Sequence, residues 1–194
     1  MRRNLGLLLV AVFCFVPLLR AQSTDHIEIG GFGEYFRLNR TTPQRNLVGL
    51  GGRVAFNVRP RIQLEAEMSY DFKRSILNTF SDGVNFETVN TQFHTLQGLF
   101  GPKFSTGSGP VRLFVTGKTG FINFTSNNLG ATAGFKGALG AVNDGNTKFA
   151  VYPGAGIEVF AHHVGLRAEI GDEIYFDGGA RNNVRVTFGP QLRF

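Results

Sequence analysis

Residues 61–72 read RIQLEAEMSYDF, and the two faces of this segment share no residue class. Even positions carry Ile62, Leu64, Ala66, Met68, Tyr70 and Phe72; odd positions carry Arg61, Gln63, Glu65, Glu67, Ser69 and Asp71. A side-chain period of two is that of a β-strand with one apolar and one polar face. Outward from this segment, the same alternation marks Leu47 to Val58, Val111 to Phe124, Thr147 to Phe160, Val164 to Phe176 and Asn183 to Phe194. It is weaker in His26 to Leu38 and Gln92 to Phe104. Beyond residue 22 no long segment repeats with the helical period of about 3.6 residues. Eight strands result, each near or above the roughly 9–11 residues that a tilted strand needs to cross a bilayer.

Connection lengths alternate as regularly as the faces. Arg59-Pro60-Arg61, Ser105 to Pro110 and Ala161 to His163 are short; the other links are Asn39 to Asn46, Lys73 to Thr91, Thr125 to Asn146 and Asp177 to Asn182, of which two are far too long for tight hairpins. Short turns at one end and long loops at the other are the rhythm of an all-β, eight-stranded antiparallel up-and-down transmembrane barrel. Register supports it. Turning the chain at Pro60 sets Val58 against Ile62, Phe56 against Leu64, Val54 against Ala66 and Arg53 against Glu67, so apolar meets apolar and cation meets anion.

The first residues carry Arg2 and Arg3, then LGLLLVAVFCFVPLL and Arg20-Ala21. A basic start, an apolar run and a small residue at the cut predict a signal peptide over 1–21, with the barrel domain over 22–194. Cys14 follows Phe13, too bulky for a lipoprotein acceptor, and the mature chain holds no cysteine. Three of the 20 Lys and Arg residues fall in the leader, leaving 17 against 14 acidic residues. That excess is too small to indicate nucleic acid. No nucleic acid, cofactor or metal is expected.

Period two alone does not say which face meets water. The polar face decides, because it gathers large charged side chains of both signs: Arg53, Glu65, Glu67, Arg112, Lys118, Arg167, Glu169 and Arg185, with Gln97, Glu158, Gln191 and Arg193. Eight strands enclose an interior just wide enough for side chains to fill, so these residues are expected to form a lumen network while the apolar face meets lipid. Phe194 is expected in a periplasmic aromatic girdle with Phe100, Phe104 and Phe160. Lys73 to Thr91 is either a loop offering Phe80 and Phe86 as contacts or a hairpin in which two strands continue above the membrane.

The final strand carries Thr187, Gly189, Leu192 and Phe194, a polar-x-Gly-x-x-apolar-x-aromatic ending. With FGPKF at 100–104 and GLRAEIGDE at 165–173, the chain resembles the small bacterial outer-membrane β-barrel family related to OmpA and OmpX. The resemblance implies an outer-membrane location, contact with outer-membrane lipid, and recognition of Gly189, Leu192 and Phe194 by the barrel-assembly machinery. It also implies a structural or surface-interaction role, with an extracellular partner reached through the loops. A narrow ion or small-solute pore is the alternative. Catalysis is not expected: the His-x-Ser-Asn motif of the lipid A deacylases among such barrels is absent from this sequence. His162-His163 falls in a short turn, and His26 and His94 are isolated.

Overall fold

Alternating strands of this length leave one row of backbone groups to pair on each side, and the ring closes only when the last strand meets the first. The computed structural model describes residues 26–39, 45–81, 86–106, 109–129 and 146–194; the side chains of 45, 74–81, 86–93, 126–129 and 146 fall outside that description, as does the leader expected at 1–21. Ten strand segments follow in chain order: β1 (Ile27–Leu38), β2 (Arg45–Arg59), β3 (Ile62–Ser81), β4 (Phe86–Ser105), β5 (Val111–Leu129), β6 (Asn146–Ala161), β7 (Val164–Asp172), β8 (Ile174–Phe176), β9 (Ala180–Arg181) and β10 (Val184–Arg193). β7 and β8 occupy one wall position, and β9 and β10 another. β6 pairs with β7 and β8 in a single register, while β7–β10 and β8–β9 share a second. The result is a closed, eight-stranded antiparallel barrel, sealed by β1 against β10.

Stepping through paired residues from Gln191 to Gly30, Arg53, Glu67, Leu99, Gly120, Ala150, Tyr175 and Arg181 returns to the strand it left, ten residues away. A stagger of this kind tilts the strands by roughly 35–45° to the barrel axis. At the seam, Phe194 accepts hydrogen bonds from the amides of His26 (2.5 Å) and Ile27 (3.1 Å) and donates its own to Ile27 (2.9 Å). The β1–β10 pairing runs from Gln191 to Phe188 without the two residues between, which include Pro190. A proline has no amide to contribute to a ladder.

Two sequence expectations are corrected in detail, and one left open is decided. The β2–β3 turn is tighter than a pairing centred on Pro60: Arg59 faces Ile62, Asn57 faces Gln63, and Val58 is bulged out, while Phe56–Leu64, Val54–Ala66 and Arg53–Glu67 pair as expected. Of the two readings of Lys73 to Thr91, the described residues form the hairpin. β3 and β4 remain paired as far as Ser81 and Phe86, and Phe80 and Phe86 have their backbone at that far end, their side chains lying outside the described residues. Phe160 is not part of a girdle; it is 4% exposed and points into the barrel. Phe104 and Phe194 do face outward, as does Phe100. At the other rim Tyr35, Phe72, Phe149 and Phe176 are exposed, the last two stacked at 5.9 Å between ring centroids.

Between the rims the outer wall is apolar, with Leu50, Met68, Val115, Leu166 and Phe188 all more than half exposed. The buried positions carry Arg53, Glu65, Glu67, Lys118, Glu158, Arg167 and Arg185. This polarity is the reverse of a water-soluble barrel and is what contact with acyl chains requires. Val115 lies near mid-wall, so Val115→Arg should cost about 2–4 kcal/mol, read by denaturant unfolding of the barrel in phospholipid vesicles. A change within a few tenths of a kcal/mol would show that this face does not meet hydrocarbon.

Candidate functional site

The interior follows from parity. Once β3 turns Leu64, Ala66 and Met68 outward, Glu65, Glu67 and Ser69 can only point in, and the registers bring cations from the other strands onto them. Lys118 on β5 sits in a tripod of carboxylates, its Nζ 2.6 Å from Glu65, 2.7 Å from Glu67 and 3.1 Å from Glu169. The same three carboxylates form the acidic trio spaced closely enough to hold a metal ion among the described residues, but the ammonium already occupies its centre.

Around the tripod lie three guanidinium groups. Arg167 makes a forked pair with Glu65 (2.5 and 3.0 Å), reaches Glu158 at 3.3 Å and also pairs with Glu169. Arg53 donates to Glu169 and to Thr187 Oγ1, both at 3.0 Å. Arg185 pairs with Glu34 at 2.6 Å, Glu67 at 2.5 Å and Glu173 at 3.5 Å, and donates to Ser69 Oγ at 3.4 Å. Toward the short-turn end, Lys103 joins Glu28 (3.1 Å) to Glu158 (2.5 Å), and Arg112 approaches Glu28 at 3.6 Å. The chain of ion pairs therefore runs from Arg112 at one mouth to Glu34 and Glu173 beyond mid-barrel, with contributions from all eight wall positions.

Aromatic rings supply a second support for the cations. Arg53 lies 4.3 Å over Phe32, Arg167 4.2 Å over Phe114 and Arg193 4.4 Å over Phe160. Each of these rings faces a glycine on the neighbouring strand: Phe32 with Gly51, Phe114 with Gly156, Phe160 with Gly165. A Cβ built on Gly51 would stand 2.3 Å from the Phe32 ring, and one on Gly156 would stand 2.4 Å from the Phe114 ring. The glycines leave room for the rings to lie flat on the wall, where the guanidinium groups cover their inner faces.

Above the charged layers the filling becomes apolar. Phe36, Leu38, Leu47, Leu99, Ile122, Ala150, Tyr152 and Tyr175 form one buried cluster, with Phe124 edge-on to Tyr175 at 5.0 Å. Near the other mouth Glu28, Gly30, Arg53, Glu65, Arg167 and Gln191 line a narrow recess with no room for a water molecule.

All eight lumen residues named from the sequence, Arg53, Glu65, Glu67, Arg112, Lys118, Arg167, Glu169 and Arg185, lie inside. Sequence reading missed Glu28, Glu34, Lys103 and Glu173. Their parity was available, but in β1 the two glutamates share a face with Phe32, Phe36 and Leu38, which hides the alternation. Gly189 is buried against the seam, where a Cβ would lie 2.0 Å from the Gly31 carbonyl oxygen, while Leu192 and Phe194 are exposed. Asp71 accepts hydrogen bonds from Thr95 and from Gln97 (3.1 Å), and His94 packs against Tyr70 at 5.5 Å.

No protein-family profile matches the chain, and no curated protein matches it. Solved structures do. Neisserial surface protein A is similar with a TM-score of 0.60 and 7% identity over 87% of this chain and 97% of that one. Ail, the attachment invasion locus protein of Yersinia pestis, in complex with the heparin analogue sucrose octasulfate, gives 0.53 and 14% over 88% and 97%. The outer membrane protein OprG from Pseudomonas aeruginosa gives 0.52 and 10% over 90% and 98%. The fold is that of the small eight-stranded outer-membrane barrels. At these identities the likeness extends to the fold alone.

Removing one partner of a buried ion pair leaves a charge without compensation. Lys118→Met would leave Glu65, Glu67 and Glu169 facing one another, and should destabilise the barrel by about 3–5 kcal/mol in urea titrations in detergent micelles. A loss below about 1 kcal/mol, the range of solvated surface pairs, would mean that water reaches the tripod.

Proposed function

We propose that this chain is an integral protein of the Gram-negative outer membrane, exported by the leader at 1–21, with a structural or surface-interaction role and no catalytic activity. The observation that carries the reading is the inverted polarity of a closed barrel: a lipid-compatible wall around a lumen filled by paired charges. Similar folds among outer-membrane proteins support the location. Gly189, Leu192 and Phe194 fit the ending read by the barrel-assembly machinery, with Gly189 holding the seam close and Phe194 completing it.

The surface role rests on shape. Past the apolar belt, β3 and β4 continue as a paired hairpin to Ser81 and Phe86, and β5 pairs with β4 as far as Leu129. On this side of the barrel the described residues form a three-stranded sheet that stands above the rim. A raised, backbone-paired wall presents a fixed surface to an extracellular partner at lower entropic cost than a loop of the same length.

The pore alternative needs a water path, and two successive barriers oppose it: the ion-pair chain through Lys118 and the apolar cluster above. Wild-type protein in a planar bilayer should show no steady conductance. Glu67→Ala, which removes an anchor shared by Lys118 and Arg185, should at most add brief openings. Stable, large conductance steps from the wild type would favour transport.

A further inference from the structure

The charges of the lumen do not balance. Among the described residues eight buried carboxylates share it with six buried lysines and arginines. Set Glu34, Asp71, Glu173 and Arg185 aside and five of each sign remain, the matched network around Lys118 and Lys103. The four set aside lie on the extracellular side of that network, against the apolar cluster, with the Arg185 guanidinium 5.1 Å from the Tyr152 ring centroid. There three carboxylates meet one cation. Arg185 reaches Glu34 at 2.6 Å and Glu173 at 3.5 Å, but it also serves Glu67 at 2.5 Å.

Unfilled acceptors mark the same layer. Glu34 Oε1, Asp71 Oδ1, both carboxylate oxygens of Glu173 and Gln97 Oε1 are buried and accept no hydrogen bond. Thr95 and Gln97 donate to the other Asp71 oxygen, Oδ2. Gly49 makes room for Oδ1: Glu34 and Asp71 stand on either side of it in one cross-strand row, and a Cβ there would lie 2.7 Å from Asp71 Oδ1. Among the described residues only the Lys118 tripod draws three acidic groups to metal-holding spacing. Glu34, Asp71 and Glu173 stand wider, as like charges do until a cation comes between them. A buried charge without a counter-charge is strongly destabilising, and the surplus here is two negative charges. Carboxylates and an amide carbonyl are the donors of a hard divalent cation. Ca2+ takes about six to eight oxygens in irregular arrangements, whereas Mg2+ demands an octahedron and gives up its water reluctantly. A buried, irregular set of oxygens therefore suits Ca2+.

We propose that Glu34, Asp71 and Glu173, with Gln97 Oε1, bind one Ca2+ ion in the extracellular half of the lumen. This adds a ligand to the interior and does not depend on the surface role proposed above.

Because the layer is buried, the ion is supplied during refolding. The full barrel is refolded in dodecyl maltoside micelles with Ca2+, with Mg2+ or with EDTA, then desalted. Retained metal is measured by plasma mass spectrometry, and folded protein by heat-modifiable gel mobility. The wild type should retain about one Ca2+ per folded barrel and far less Mg2+, and its urea midpoint should rise with free Ca2+. Asp71→Asn with Glu173→Gln removes the surplus charge and should lose both the ion and the response to Ca2+. Asp177→Asn at the extracellular rim, where the carboxylate pairs with Lys148, should change neither. A folded wild type that retains no Ca2+, equal retention of Mg2+, or a double variant that keeps the ion would overturn the proposal. So would a wild-type stability that ignores Ca2+ and falls as pH rises, since protons would then hold the surplus. These wild-type readings decide the matter even where the double variant does not fold.

Discussion

In hydrocarbon a backbone N–H or C=O has no water to bond, and every one must find its partner inside the protein. That demand accounts for the arrangement at the β1–β10 seam, where the terminal residues of the described barrel, His26, Ile27 and Phe194, exchange three hydrogen bonds. It also accounts for the single consistent registers that carry the last hairpin through the break at Glu173. The Glu173 amide still bonds the Asn183 carbonyl at 2.8 Å although neither residue belongs to a strand segment. Closing the ring fixes which face of every strand is inside, and the composition of the interior follows.

An interior this narrow cannot hold water-solvated charges, so charge must be matched at contact distance. The barrel does so with cations that each touch several carboxylates, and with aromatic floors that accept the flat side of the guanidinium groups. A buried network of this kind is not a large source of net stability, since desolvation offsets much of the Coulomb attraction. What it supplies is register: a slip of one residue would turn the charged row outward into lipid and the phenylalanines of the wall inward. Glycine is the complement of the aromatic floors, because Phe32, Phe114 and Phe160 lie flat only where the neighbouring strand has no Cβ.

Much of this was legible in β3 alone, where twelve residues sort without exception into a lipid face and a lumen face. Strand count, the sequence of short and long connections and the inward set around Lys118 follow from extending that pattern. Legibility failed where the interior is itself apolar. Phe160 reads as a girdle residue only because it is aromatic; its parity with Glu158 places it inward, beneath Arg112 and Arg193. β1 is weakly patterned for the same reason. The raised β3–β4 hairpin was ambiguous, because above the membrane neither face meets lipid and the alternation has no cause. The pairing of each inward ring with a glycine needs the cross-strand register, which a sequence without its turns fixed does not contain.

The central claim, that the apolar row faces acyl chains and the charged row faces the bore, is tested most directly by spin labels placed singly along Val111–Phe121 in lipid vesicles. Collision rates with dissolved oxygen and with a water-soluble nickel complex are then compared. The structure predicts strict alternation, with odd positions such as Leu113, Val115 and Thr119 oxygen-accessible and nickel-shielded, and even positions such as Phe114, Thr116 and Lys118 shielded from both. Odd positions open to the nickel complex across the middle of the segment would contradict it.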